Sequence, residues 1–255
     1  MKIFLSNQFK RQRIGMKMAA VLFVMLFAFV SCDKRNIHEV VKEMAEAPVD
    51  TTGYVGRIVH TNPFSTVDID CFADVTFHQT PVGSEPSVEL KAPAKVLKNL
   101  EVVVEDGDLV ISVDRRYKMP EKAVAVVDIY SPFVNSFVLD GGKCLRLGHI
   151  ALTCPLELVL HGNVGAVTVD SMSVHELSLH LDGSGSFDLK NIETGDLRAK
   201  VSGAGSLKVA GKCHSADLFI KGDGVINACE LKAEVPVRHS IEGKGKVWLD
   251  ASAIK

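Results

Sequence analysis

From residue 177 onward, apolar and polar residues alternate in blocks that repeat about every 20 positions. The clearest block is LHLDGSGSFDL (179–189), whose alternation is broken by two glycines around one serine. The same break recurs in VSGAGSLKV (201–209), IKGDGVINA (220–228) and IEGKGKVWL (241–249). Measured between the second glycines, Gly185, Gly205, Gly224 and Gly245, the intervals are 20, 19 and 21 residues. Apolar residues keep this frame two and four places after each reference glycine, and four, six and eight places before it. Of these 20 positions 19 are apolar, His239 being the exception, which is too regular for coincidence. HGNVGAVTV (161–169) is an earlier copy referenced to Gly165, and DGGKCLRL (140–147) aligns with Lys143 in the reference place.

A period near 20 with short alternating runs is the signature of a solenoid. A strand rises about 3.3 Å per residue, so one coil holds two or three short strands separated by bends. No coil buries its own apolar face, and the stacked array is the cooperative unit. The predicted fold is all-β: a single-stranded, right-handed parallel β-helix with coils of about 20 residues. Gly183, Gly185, Gly203, Gly205, Gly222, Gly224, Gly243 and Gly245 are the predicted corner residues. Glycine there allows positive φ and presents no Cβ to the next coil. A phosphate loop is excluded, because no helical pattern follows any of these glycines to supply free amides.

The frame also sorts residues by face. Leu179, Leu181, Phe187, Leu189, Leu197, Val201, Leu207, Val209, Leu218, Ile220, Ile226, Ile241, Val247 and Leu249 are expected inside. Asp188, Lys190, Lys200, Lys208 and Lys221 are expected outside, as is the side chain of Ser206. If Gly205 has positive φ, Gly205→Val is expected to be strongly destabilising.

Upstream of 134 the pattern is still β but not periodic. VDIDCFADVTFHQ (67–79) alternates over most of its length. LEVVVEDGDLVISVD (100–114) is two alternating runs around Glu105-Asp106-Gly107-Asp108, a hairpin signal. PAKVLKN (93–99) predicts one or two helical turns, DRRYKMPEK (114–122) a loop, and AVAVVDIYSP (123–132) a strand ended by Pro132.

The start of the chain changes the picture. The first 31 residues carry five basic residues and no acid, with the apolar run AAVLFVMLFAFV at 19–30. A basic stretch, a short apolar run and a small residue before a cysteine read as a secretory signal. The run is shorter than the roughly 20 residues a membrane span needs. FVSC resembles a bacterial lipobox, with Phe29 where leucine is usual and Cys32 as the residue to be lipidated. The expected organisation is a lipoprotein signal peptide (1–31), a tether (32–53) that includes the short-helix candidate HEVVKEMAEA, and a β-helical domain (54–255). Acyl chains at Cys32 would anchor that domain to a membrane without spanning it.

Without the leader the chain keeps 24 Lys+Arg against 31 Asp+Glu, a net charge of −7. No basic cluster remains for nucleic acid. Five further cysteines, Cys71, Cys144, Cys154, Cys213 and Cys229, show no C-x-x-C spacing. They read mainly as small buried hydrophobes, with at most one or two bridges.

With these features in place, the chain resembles the putative auto-transporter adhesin, head GIN domain family of Bacteroidota envelope proteins. The residues that carry the resemblance are FADVTFHQ (72–79), SVELKAP (87–93), LEVVVEDGDLVI (100–111), DIYSP (128–132) and the corner SGAGSL (202–207). It covers about residues 60–250. It implies a right-handed β-helical domain on the cell envelope and brings no catalytic residues with it.

Candidate chemistry is sparse. His161, His175 and His180 lie near one another along the coils, and His239 falls on an inward position, but none has a ligand-like partner at familiar spacing. Asp182, Asp188 and Asp223 lie near corners, and Asp68, Asp70 and Asp74 cluster further upstream. A β-helical lyase or hydrolase needs several acids converging with a cation. Arg198 and Arg238 point outward with no evident acidic partner. Trp248 also points outward, either to stack on a sugar or partner, or to cap the last coil against ASAIK. No cofactor and no metal is expected. The expected function is a lipid-anchored, non-enzymatic, adhesin-like or structural module of a Gram-negative cell envelope. The alternative is a glycan-binding protein or carbohydrate-active enzyme on the same scaffold. The expected partners are the membrane, glycans or surface proteins, and further copies of the chain.

Overall fold

A computed structural model describes Glu43 and residues 46–120, 123–162 and 165–250. The signal peptide, Cys32 and the ASAIK segment lie outside the described residues. Among those described, no helix is long and apolar enough to cross a membrane.

The periodic half is a β-solenoid. Strands β8 (Ser136–Asp140), β9 (Cys144–Ala151) and β10 (Leu156–Gly162) lead into three long strands. These are β11 (Ala166–Gly183), β12 (Ser186–Gly203) and β13 (Ser206–Gly222), and each bends through a coil. β14 (Val225–Ala233), β15 (Arg238–Gly243) and β16 (Lys246–Leu249) complete the array. Pairing between coils is parallel, and Leu156, Leu177, Leu197 and Ala216 stand in one column, offset by 21, 20 and 19 residues. Cys144, Ala166 and Ser186 also share a column, which puts Lys143 in the corner place that glycine holds elsewhere.

Coil length varies because bulges absorb single residues. The β12–β13 register slips between Leu189 and Ile192, where Asn191 has φ 49°. The β13–β14 register slips back between Lys208 and Ala210. Bulges of this kind bend a strand while keeping its inward residues inward on either side.

The upstream half joins the same solenoid in an order that local patterning does not reveal. The run 67–79 is not one strand but two, β2 (Thr66–Asp70) and β3 (Ala73–Gln79), turning a corner at Cys71–Phe72. β6 (Asp108–Val113) and β7 (Ala125–Ser131) pair in parallel with β2 and β3 on one side, and β8 and β9 pair with them on the other. The coil formed by β2 and β3 is therefore inserted between two that follow it in sequence.

Antiparallel strands close this end. β5 (Leu100–Glu105) pairs with β6, and β1 (Val55–His60) and β4 (Ser87–Ala92) extend the row of β7. The predicted hairpin is present, with φ of 52° at Asp106 and 89° at Gly107. Two positive φ values are what a tight primed turn demands. Between β4 and β5 lies the single helical turn α1 (Ala94–Leu97). Arg57 of β1 donates to the Leu100 carbonyl at 2.8 Å, tying the two edge strands together.

One continuous apolar core runs from Phe64 to Val237. The expected inward residues are buried through Ile226, but the last coil departs from the expectation. Ile241 is 40% exposed, and Val247 and Leu249 are half-buried. Among the described residues β15 and β16 are each covered on one side only, so their inward side chains face an open end. His239 is exposed for the same reason. Asp188 also corrects the sequence reading, being 7% exposed rather than solvated. It is a short side chain packed in register between Thr168 and Lys208.

The two glycines of each corner turn out to do different work. Gly203 has φ +104°, whereas Gly205 is not in the positive-φ region. Gly205 is required by space: a Cβ there would lie 2.5 Å from Leu181 Cδ2 and 2.9 Å from the Gly185 carbonyl oxygen. The same division holds at the neighbouring corners. Ser206 beside it is half-buried. Backbone amides in this column are already engaged, Ala204 donating to the Gly183 carbonyl and Ser206 to that of Gly185. The bare glycine backbone is thus consumed by stacking.

Candidate functional site

Polar residues on the outer surface form three kinds of arrangement, and each follows from the column structure. The first is an ionic anchor. Asp74 on β3 is 5% exposed and faces outward beside Cys144. Lys143 Nζ lies 3.5 Å from Asp74 Oδ2 and donates to the Ala47 carbonyl at 2.6 Å. Arg146 also pairs with Asp74 and reaches the Glu46 carbonyl at 3.4 Å. Both carboxylate oxygens of Asp74 are therefore engaged by cationic side chains, which makes this acid a fastener. The anchor docks residues 46–47 on the solenoid wall. It is readable only after Lys143 is noticed as the exception in a glycine column.

The second arrangement is a set of ion pairs between adjacent coils. Arg198 pairs with Glu176, and Arg238 grips Asp217 through two bonds of 2.5 and 2.6 Å. This corrects the expectation that neither arginine has an acidic partner. Lys208 pairs with Glu230 at 3.0 Å, and His214 with Glu234 at 2.8 Å. His180 lies 3.5 Å from Glu157, and His161 lies 3.9 Å from Asp182. The partners are 20 to 23 residues apart, one coil: Asp217 and Asp182 stand in the columns of Arg238 and His161, whereas Glu176, Glu230 and Glu157 are set diagonally to Arg198, Lys208 and His180. Exposed pairs of this sort are screened by solvent and stabilise the fold only weakly.

The third is the upstream acidic group. Partial burial first, then the nearby charges of Asp70, Asp140 and Asp108, raise the Asp68 carboxyl above its ordinary value. Asp74 belongs to the anchor instead, while Asp182 and Asp223 stay exposed. Among the described residues no group of three or more His, Cys, Asp or Glu is placed to hold a metal ion. His161, His175, His180 and His239 do not come together as one such group. All five described cysteines are free; Cys71, Cys144 and Cys213 are buried. Burial pushes the Cys71 thiol up to about 12 and those of Cys144 and Cys213 up to about 11.

Among the described residues, three hollows of the surface stand out. At the antiparallel end a cavity of about 1010 Å³ lies among Val59, Phe64, Val102, Val104 and Phe133, with the acid Glu85 at its wall. On the outer side of β11–β13 and β15 a shallower groove of about 310 Å³ carries Arg198, Lys200, Asp217, Phe219 and Arg238. A third, of about 520 Å³, follows the bends at His175, Glu193, Lys212, His214, Lys232 and Glu234. None of the three gathers more than two acids. Their walls combine charged, aromatic and apolar side chains. Trp248 is 46% exposed on the outer side of β16, in the column of Asn227 and Lys208.

The sequence profile of the putative auto-transporter adhesin, head GIN domain family matches residues 63–253. The chain belongs to this family. Its fold is shared with solved structures. A putative adhesin from Bacteroides fragilis superposes with a TM-score of 0.61 at 18% identity, over 77% of this chain and 96% of its own. A putative lipid binding protein from Parabacteroides distasonis superposes with a TM-score of 0.60 at 15% identity, over the same shares. No curated protein matches the chain. The head GIN domain resembled at the level of motifs is thus the domain present, and the β-solenoid is its framework.

Proposed function

We propose that this head GIN domain protein is a lipid-anchored, non-enzymatic adhesin-like module displayed on the cell envelope. The observation that carries the reading is the wall of the solenoid itself. Glu176 and Asp217 are paired to arginines one coil away and Asp74 is fixed in the anchor, while the hollows offer apolar, aromatic and cationic contacts. Acylation of Cys32 supplies the membrane attachment, and residues 46–47 fastened by Lys143 and Arg146 set how closely the domain hangs from it. Glycans are the favoured ligand class, because the exposed Trp248 shares its column with Asn227, a ring face beside a hydrogen-bonding amide.

Adherence tests the reading. Cells producing the wild-type chain are compared on glycan-coated surfaces with cells lacking it and with cells producing Cys32→Ala. Adherence lost in both of the latter supports the proposal. Equal adherence of all three overturns it.

A further inference from the structure

The open end of the solenoid is built to be covered. β15 carries RHSIEG and, among the described residues, is paired on one side only, with β13. Ile241 stands in a column whose earlier members Leu181, Val201 and Ile220 are at most 1% exposed, yet 40% of Ile241 is open. An uncovered strand edge over an uncovered core is a template for another strand.

The charges along this edge say which strand. Arg198, Asp217 and Arg238 share one outward column and alternate in sign; Lys221 and Glu242 share another and also alternate. When two copies of β15 meet antiparallel, inward side chains must face inward ones, which allows only every second register. The register centred on Ser240 sets Arg238 opposite Glu242 of the second copy, twice per pair. Shifting by two residues sets Arg238 against Ser240 in one direction and against the like charge of Lys244 in the other. In the Ser240 register the alternation runs unbroken across the join: Asp217, Arg238, then Glu242 and Lys221 of the second copy. Opposite charges facing each other across an antiparallel pair are stabilising, and like charges are not. Ile241 then faces His239 of the second copy, covering the opening.

We propose that two copies of the chain associate end to end by antiparallel pairing of β15 about Ser240. The contact goes beyond the adhesive function, since it needs no ligand, and it would present two outer walls from one assembly.

The test uses the purified full chain in mild detergent. Sedimentation across a dilution series is expected to give twice the chain mass at high concentration. Residues directly opposite in an antiparallel pair have Cα atoms roughly 4.5–5.5 Å apart, within disulfide reach. Ser240→Cys should therefore yield an oxidised dimer, with mass spectrometry finding the disulfide-linked peptide that joins position 240 of one copy to position 240 of the other. Glu242→Cys should not, because its symmetry mate lies about four residues, or roughly 14 Å, along the strand. Arg238→Glu and Glu242→Arg should each be monomeric alone and should dimerise when mixed, since the mixture restores opposite charges at both positions. A monomer at every concentration, open-ended fibres, equal crosslinking through 240 and 242, or no association in the mixture overturns the proposal.

Discussion

Gly205→Ala is the sharpest probe of why the corners contain glycine. Its φ is already accessible to alanine, so the penalty must come from the added methyl group. That group would sit 2.5 Å from Leu181 Cδ2 and 2.9 Å from both Leu181 Cγ and the Gly185 carbonyl oxygen. Leu181 is 1% exposed and has little room to move. Overpacking of a filled core typically costs about 1–3 kcal/mol, and two rigid neighbours place this change near 2. Leu181→Ala alone should cost about 3 kcal/mol through the cavity it leaves. In the double variant the Gly205 methyl enters that cavity, so the losses should fall short of their sum by about 1.5 kcal/mol. Gly203→Ala provides the contrast: its φ is +104° and its close neighbours are Gly183 backbone atoms, so Leu181→Ala should not relieve it. The assay is urea denaturation of the three single and two double variants, read as midpoint at constant slope. A wild-type midpoint for Gly205→Ala, or strict additivity with Leu181→Ala, would refute steric exclusion as the reason for the second glycine.

Other consequences follow from the charged and thiol groups. Asp68 binds its proton more tightly folded than unfolded, so the folded state loses stability as pH rises through its raised pKa. Asp68→Asn should therefore raise the denaturation midpoint at pH 7, with the gain vanishing below the ordinary carboxylate value of 3.8; a loss at pH 7 would contradict this. Asp74→Ala removes the buried carboxylate that Lys143 and Arg146 share and should cost about 3 kcal/mol in denaturant; an unchanged midpoint would show that the anchor contributes nothing. Native alkylation at pH 8 should label exposed Cys229 first and spare Cys71, Cys144 and Cys213 until denaturant is added, because their thiolates are suppressed by burial; peptide mapping showing equal labelling would be the contrary result.

The coil frame was legible because one requirement repeats. Every inward position faces the same core, so Leu179, Ala199 and Leu218 keep the same character in successive coils. The corner glycines were legible as corners, but their two roles were not. Alternation along one coil cannot show that Gly205 lies against Leu181 of the coil before it. The pairing of β2 between β6 and β8 left no local trace, since a strand reads the same whichever neighbours flank it. Gly211 was also missed: at φ +140° its absent Cβ makes room for the backbone of Ile192, a need created by the one-residue slip between β12 and β13. The Arg198 and Arg238 pairs were hidden because their partners stand one coil away, outside any window used for a strand. The open final coil was invisible to a periodic reading, which treats every repeat as having two neighbours.

Attachment of the solenoid to a membrane through Cys32 is decided by the mass of the protein recovered from the cell-envelope fraction. The predicted result is a chain that begins at Cys32 with acyl groups attached and that moves to the soluble fraction as Cys32→Ala. An unacylated soluble chain that still contains residues 19–31 would contradict it.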